Sequence, residues 1–158
     1  MRNTTTFIVA VVSGVIIDIV TKWVVFSRLE EFGKITLIRN VLNILRSENE
    51  GVVFGMFPGK TNAFIILSAI AIIVILCVYI WSDKKHIMSN LTLGLVLAGA
   101  IGNLWDRVWY GRVRDFIDLH AGDKYHWPTF NVADSLICIG ISIMVITSFL
   151  KSKRKDTV

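Results

Sequence analysis

Four long apolar segments dominate the pattern of hydrophobic and polar positions along the chain. They cover about residues 6–26, 63–81, 87–105 and 132–150, and each is close to the ~20 residues that an α-helix needs to cross ~30 Å of hydrocarbon. Backbone N–H and C=O groups cannot stay unpaired in lipid, so we expect all four segments to be transmembrane helices. The pattern predicts an all-α membrane protein with a single domain over residues 1–158.

Composition supports this prediction, since 54% of the 158 residues are hydrophobic and the mean hydropathy is +0.62. Arg2 before the first apolar segment raises the alternative of a cleaved signal peptide. That segment is longer than the apolar region of a signal peptide, contains Asp18 and Lys22, and lacks a small-x-small cleavage site. We therefore expect it to be a retained membrane helix.

Basic residues near the ends of the spans predict the orientation. Clusters at 84–85 and 151–155 fall on the same side of the membrane as Arg2, which places both termini in the cytoplasm. The connections 27–60 and 106–129 are then extracytoplasmic, and their acidic residues nearly balance their basic ones. The net charge of +5 is mostly a topology signal. Because the basic residues are divided among loops, the sequence gives no indication of nucleic-acid binding.

The first extracytoplasmic connection has the composition of a small sheet. Residues 35–38 and 41–45 are short β-prone segments separated by Arg39 and Asn40, which suit a turn. We expect a small extracytoplasmic β-sheet on the outer membrane face, and the alternative is an ordinary amphipathic loop. With the four helices and a second extracytoplasmic loop or helix, this completes the predicted fold.

Polar residues inside the spans or at their outer ends all fall near the same membrane face under this topology. Ionisable groups in lipid usually face a bundle interior or a water-filled cavity. Their clustering predicts one wet pocket that opens to the outside. The residues are Asp18, Lys22, Asn103, Asp106, Arg107, Asn131 and Asp134.

Local spacing separates some of their roles. Asp18 and Lys22 are four residues apart on one helix face, which favours an ion pair. Asp106 and Arg107 are adjacent, so they point in different directions and need different partners. The guanidinium of Arg107 is suited to a carboxylate or to backbone carbonyls. Asn131, at the start of the fourth apolar segment, is a candidate N-cap.

Asp115 and Asp134 are the candidate catalytic residues. Asp115 closes a polar loop and Asp134 opens an apolar segment, with eighteen residues between them, so folding can bring both carboxyls to one membrane surface. Two close carboxyls in a low-dielectric site share a proton at neutral pH. The ionised carboxylate can activate water while the protonated carboxyl polarises a scissile carbonyl, which is peptide hydrolysis without a covalent intermediate. A structural hydrogen-bonded pair is the alternative.

Other catalytic or metal motifs are absent from the sequence. His120 and His126 do not form an HExxH motif and are typical of surface histidines. Cys77 and Cys138 lie inside apolar segments, where cysteine is a small packing residue. We therefore expect no metal and no organic cofactor.

These residues occur in five motifs whose order resembles the prolipoprotein signal peptidases, also called signal peptidase II. The motifs are Asp18-x-x-Thr21-Lys22, Asn49-x-Gly51-x-x-Phe54-Gly55, Gly102-Asn103-x-x-Asp106-Arg107, Val113-x-Asp115-Phe116 and Phe130-Asn131-x-Ala133-Asp134. The resemblance extends over nearly the whole chain. It implies an aspartyl endopeptidase of the bacterial cytoplasmic membrane, with its site at the outer face. Such an enzyme cuts diacylglyceryl-modified prolipoproteins immediately before the lipidated cysteine and is inhibited by globomycin-like cyclic peptides.

The resemblance also implies residue roles. Asp115 and Asp134 match the catalytic pair. The positions that shape the substrate site are Asn49, Gly51, Asn103, Arg107, Asn131 and Ala133, and the polar supports are Asp18, Lys22 and Asp106. The chain departs from the family pattern at Arg114, where an aliphatic residue is common, and at Val53, where alanine is usual. Prolipoprotein substrates and membrane lipid are the implied partners.

Two other functional classes stay open at this point. Charged residues on three spans suit a small channel or an ion-coupled transporter, although no matching set reaches the cytoplasmic face. A membrane scaffold that binds a partner through its external loop is the third class, but it leaves the surroundings of Asp115 and Asp134 unexplained.

Overall fold

The structure is a computed structural model that describes residues 2–31, 33–51, 60–122 and 124–155. Val53, one of the two departures from the family pattern, lies outside the described residues, as do its neighbours in 52–59.

Four long helices form the membrane part of the protein. They are α1 (Arg2–Arg28), α2 (Thr61–Trp81), α3 (Ile87–Tyr110) and α4 (Val132–Lys155), and each contains a segment long and apolar enough to cross a membrane. The prediction of four transmembrane helices is confirmed. α3 continues five residues beyond the predicted end at 105, because the charged residues of its last turns are paired inside the protein.

α3 is the central helix and packs against the other three. More than half of its apolar segment is buried, whereas none of the corresponding segment of α2 is. Glycines allow the close packing: Gly94 lies against the backbone of Phe7 in α1, and Gly99 lies against the backbone of Ala133 in α4. Small residues of this kind let membrane helices approach closely, so α3 holds α1 and α4 in fixed positions.

A four-stranded antiparallel sheet covers one end of the helices. Its strands are β1 (Lys34–Ile38), β2 (Leu42–Asn49), β3 (Val113–Ala121) and β4 (Tyr125–His126), in the order β1-β2-β3-β4. Asn40 has a φ of 63° in the turn between β1 and β2, a conformation that asparagine tolerates better than most residues. The predicted small sheet is confirmed.

β3 and β4 are strands that the sequence analysis missed. The expectation that Asp115 closes a polar loop is wrong, because Asp115 lies within β3 and pairs with Ser47 of β2. Valine, phenylalanine and isoleucine within 113–121 are typical of strands and could have indicated one. Two aspartates and an arginine in the same nine residues made the segment resemble a loop.

The chain after β4 returns alongside β3. The backbone N–H of Phe130 donates to the carbonyl of Ile117 at 3.1 Å, and the N–H of Ile117 donates to the carbonyl of Phe130 at 2.8 Å. This pairing carries Asn131 and the first turn of α4 to the position of Asp115. The sheet and the helix bundle therefore meet at this point.

Candidate active site

Asp115 is almost completely buried, with 1% of its surface exposed. Its Oδ1 accepts a hydrogen bond from Asn131 Nδ2 at 2.7 Å, and its Oδ2 accepts one from Asn49 Nδ2 at 3.1 Å. Asn49 can reach Asp115 because it is the last residue of β2 and pairs with Val113, two residues before Asp115 in β3. Both carboxyl oxygens of Asp115 are therefore fixed by amide side chains from two different elements.

Asp134 lies in the first turn of α4 and is only partly buried. Asn131 is the N-cap, because its Oδ1 accepts a hydrogen bond from the backbone N–H of Asp134 at 3.0 Å. In return, Oδ2 of Asp134 accepts a hydrogen bond from the backbone N–H of Asn131 at 3.2 Å. This reciprocal arrangement is a capping box, and the helix N-terminus favours a negative charge there.

Asn131 and Asn103 connect the two aspartates. Asn131 Nδ2, which donates to Asp115, also donates to Asn103 Oδ1 at 3.1 Å, and Asn103 Nδ2 donates to Asp134 Oδ1 at 2.8 Å. Asn103 comes from α3, so β3, α3 and α4 all contribute to the same cluster. The fold thus brings Asp115 and Asp134 together at one end of the helix bundle.

The surroundings of Asp115 raise its pKa from the usual 3.8 to about 7. Burial is the main cause, and the negative charge of Asp134 adds to it. Hydrogen bonds from Asn49 and Asn131 and the charge of Lys22 favour the ionised form and oppose the rise. Near neutral pH a large share of the molecules therefore carries a proton on Asp115. A carboxyl of this kind can donate a proton to a substrate.

Arg107 lies beside the pair and is held by backbone carbonyls. Its Nη2 donates to the carbonyl of Gly51 at 3.3 Å and its Nη1 donates to the carbonyl of Asn103 at 3.4 Å. Gly51 is also tied to Asn49, whose Oδ1 accepts a hydrogen bond from the N–H of Gly51 at 3.0 Å. Arg107 therefore fixes the chain just after β2 on top of α3.

A fully buried ion cluster lies beneath the pair. Lys22 Nζ is 2.8 Å from Asp18 Oδ2 and 3.3 Å from Asp106 Oδ2, and none of the three side chains is exposed. Asp18 Oδ1 also accepts a hydrogen bond from the backbone N–H of Ala133 at 2.9 Å. Asp18 thus anchors the residue that precedes Asp134.

Arg114 belongs to the same ion cluster, whereas the sequence indicated only a departure from the family pattern that alters contacts at the mouth of the site. Its Nη2 is 2.8 Å from Asp106 Oδ1, and its backbone N–H donates to Asp106 Oδ2 at 2.9 Å. A charged residue at a position where the family commonly has an aliphatic one was the sequence signal, but this signal does not indicate Asp106 as the partner of Arg114.

The eleven residues that the sequence singled out lie in one contiguous set of contacts. His120 and His126 lie outside this set: their rings stack with centroids 5.0 Å apart, and His126 pairs with Asp118 at 2.8 Å. Among the described residues, no group of three histidine, cysteine or acidic side chains is arranged to hold a metal ion. The site is therefore built from carboxyls, amides and cations.

Comparison with known proteins identifies the family. The family model described as Signal peptidase (SPase) II matches residues 9–150. The lipoprotein signal peptidase of Clostridium acetobutylicum is 36% identical over 152 residues, which are 94% of this chain and 97% of that protein. The lipoprotein signal peptidase of Syntrophomonas wolfei is 41% identical over 143 residues, covering 90% and 91% of the two chains.

A solved structure of a bacterial membrane enzyme has the same fold. It superposes with a TM-score of 0.88 at 32% sequence identity, covering 96% of this chain and 92% of the other. A second bacterial membrane enzyme superposes with a TM-score of 0.81 at 33% identity and covers 90% of this chain. These similarities do not support the transporter or channel alternative. The chain belongs to the signal peptidase II family, the lipoprotein signal peptidases.

Proposed function

We propose that this membrane peptidase cuts diacylglyceryl-modified prolipoproteins immediately before the lipidated cysteine, with Asp115 and Asp134 as its catalytic pair. Two observations together support this proposal. Asp115 is buried and its pKa is raised to about 7. A chain of hydrogen bonds through Asn131 and Asn103 connects it to Asp134. An aspartyl peptidase needs one protonated and one ionised carboxyl at neutral pH.

The two carboxyls have different roles in this proposal. Asp134, at a helix N-terminus, is the ionised member and takes a proton from the attacking water. Asp115 is the protonated member and donates its proton to the oxygen of the scissile carbonyl as the tetrahedral intermediate forms. Asp134 then passes the proton that it took from water to the amide nitrogen, the C–N bond breaks to release the amine, and a hydroxyl of the intermediate returns its proton to Asp115. Asn49, Asn103 and Asn131 keep the two carboxyls in place through these steps.

The other site residues position the substrate and the pair. Arg107 and Gly51 form one edge of the site. Arg107 holds the backbone carbonyl of Gly51 in a fixed position there, and an extended substrate peptide can bind along this edge. Ala133 has no exposed surface, and its small side chain lets α3 and α4 approach at the level of the pair.

Substitution of each aspartate tests the catalytic assignment. Asp115→Asn and Asp134→Asn should each abolish cleavage, because an amide can neither ionise nor deliver the shared proton. Asp118→Asn is the matched control, since Asp118 lies three residues further along β3 and contacts Asn43 and His126 instead of the pair. Normal turnover by a folded Asp115→Asn or Asp134→Asn protein would exclude this catalytic pair.

The diacylglyceryl group should determine the rate. Acyl chains contribute ~0.8 kcal/mol per buried CH₂, and remote binding energy of this kind can be used to orient the scissile bond. We expect a lipidated prolipoprotein to be cleaved far faster than the same peptide with a free cysteine thiol. Equal cleavage of both substrates would contradict the lipid requirement and favour a more general membrane aspartyl peptidase. Globomycin-like cyclic peptides are expected to compete for the same pocket.

The proposed orientation places both termini in the cytoplasm and the site at the outer face of the bacterial cytoplasmic membrane. In a background without Cys77 and Cys138, Tyr125→Cys on the sheet should react with a membrane-impermeant thiol reagent added to intact cells. His86→Cys, in the connection between α2 and α3, should react only after the cells are opened. The opposite labelling pattern would place the site in the cytoplasm.

A further inference from the structure

The buried ion cluster extends from Arg114 to the aspartate pair, and each contact along it constrains the next. Arg114 is 6% exposed and contacts both carboxyl oxygens of Asp106 through its side chain, with distances of 2.8, 3.2 and 3.3 Å. Its guanidinium carbon lies 4.1 Å from the centre of the Tyr110 ring. The guanidinium is therefore fixed against the end of α3, and Arg114 itself directly precedes Asp115 in β3.

Asp106 shares its charge with a second cation. Lys22 Nζ lies 3.3 Å from Asp106 Oδ2, 2.8 Å from Asp18 Oδ2 and 3.3 Å from Asn103 Oδ1. Lys22 Nζ donates hydrogen bonds to Asp18 Oδ2 and Asn103 Oδ1, and its contact with Asp106 Oδ2 is an ion pair. A change in the charge around Asp106 therefore changes the electrostatic attraction between Asp106 and the Lys22 ammonium group.

Lys22 determines which way the amide of Asn103 points. Oδ1 of Asn103 accepts hydrogen bonds from Lys22 and from Asn131 Nδ2, which occupies both lone pairs of a carbonyl oxygen. The Nδ2 group is thereby left to donate to Asp134. A flipped amide would direct two N–H groups at the ammonium of Lys22 and at the amide of Asn131. The charge of Lys22 prevents that flip.

We propose that Arg114 is a positioning residue of the proposed peptidase reaction, which acts on the aspartate pair through Asp106, Lys22 and Asn103. This inference rests on the proposed function. The cluster contains two carboxyls, Asp18 and Asp106, and two basic side chains, Lys22 and Arg114, so their formal charges balance. When Arg114 is absent, Asp106 has only Lys22 as its cationic partner and draws the ammonium away from Asn103. The donor to Asp134 is then no longer fixed.

Kinetics of the full-length purified enzyme on a lipidated prolipoprotein test this role. Arg114→Met should lower kcat about tenfold, within the range of coupling through contacting residues, and leave KM nearly unchanged. Arg114→Lys keeps the charge without the planar fork and should recover part of the loss. Arg112→Met is the matched control: this arginine lies two residues earlier and pairs with the partly exposed Glu48 at 3.0 Å, so kcat should stay normal.

A double-mutant cycle separates positioning from simple packing. In an Asp106→Asn background the connection to Lys22 is already broken, so Arg114→Met should cause little further loss of kcat. An unchanged kcat for Arg114→Met, or an equal loss in both backgrounds, would overturn the proposal. If Arg114→Met does not fold, the same cycle is made with Arg114→Lys, and a normal kcat for that variant, or equal losses in both backgrounds, would overturn it.

The pH profile of kcat provides a second readout that packing alone would not move. Among the described residues, the charged groups that interact with Asp115 include Lys22 of α1, Arg107 of α3 and Asp134 of α4, and the charge of Lys22 lowers the pKa of Asp115. Loss of the Arg114 guanidinium leaves one negative charge of the cluster uncompensated, which disfavours ionisation of Asp115, so the alkaline limb of the Arg114→Met profile should lie at higher pH than in the wild type. An unmoved limb would overturn the proposal. Asp115→Asn belongs in the same series: activity retained there would reject the catalytic pair itself, whereas a normal Arg114→Met rejects only the positioning role.

Discussion

Asp115→Asn should produce a protein that is inactive and yet, above neutral pH, more stable than the wild type. In the folded protein the pKa of Asp115 is raised to about 7, mainly by burial and then by the charge of Asp134, whereas the unfolded chain titrates near the usual 3.8. Between these two values the folded state binds a proton that the unfolded state has released. The free energy of unfolding therefore decreases as pH rises through this window, and the full penalty is present above the folded pKa.

The contacts of Asp115 give the size of the effect. A rise in pKa from 3.8 to about 7 corresponds to ~4 kcal/mol, because a tenfold change in proton affinity is worth ~1.4 kcal/mol. Asp115→Asn removes this penalty, but it also weakens one hydrogen bond. Asn49 and Asn131 both donate to Asp115, and an asparagine offers only one acceptor oxygen. A lost hydrogen bond of this kind costs about 1–3 kcal/mol. The net gain above the folded pKa is therefore about 2 kcal/mol, or roughly 4–8 °C in the unfolding midpoint.

Thermal unfolding of the purified protein in detergent, from about pH 5 to about pH 9, measures this difference. The variant minus wild-type difference in midpoint should grow with pH and level off above the pKa of Asp115. Asp83→Asn, which removes an exposed carboxylate between α2 and α3, controls for the loss of a negative charge. A difference for Asp115→Asn that is the same at every pH would refute the raised pKa and, with it, the proposed acid role.

Three further outcomes are expected. The kcat of the wild type should fall as pH rises above about 7, because Asp115 then loses the proton that it donates; a profile that is flat through this range would contradict the assignment. Asn49→Ala removes a hydrogen bond that favours ionised Asp115, so it should move this alkaline limb to higher pH, and a shift to lower pH would contradict the contact. In Gly102→Ala the new Cβ would overlap the carboxylate of Asp18 and press on Ala133, which should lower stability by about 1–3 kcal/mol and reduce kcat, as unfolding midpoints and turnover would show.

Part of the site could be predicted because membrane burial makes polar residues conspicuous in a sequence. Asp18 and Lys22 stand out in an apolar helix, and their spacing alone predicts the ion pair that the structure contains. Asp115 was harder to place, since a strand of nine residues with four charged or titratable side chains is not distinguishable from a loop by composition. Its strand exists because β2 pairs with it, and that is a long-range contact.

The sequence by itself determined the four spans, because hydrocarbon imposes length and composition on any segment that crosses it, and it singled out the two aspartates through the motifs around them. Only the tertiary structure decided that Asn103 and Asn131 connect the aspartates and that Asp106 is shared between Lys22 and Arg114. These contacts join residues from separate elements, and local patterns carry no information on the relative rotation of two helices or the register of two strands. The raised pKa of Asp115 follows from that assembly, since burial and the nearby charge arise only once β3 and α4 meet.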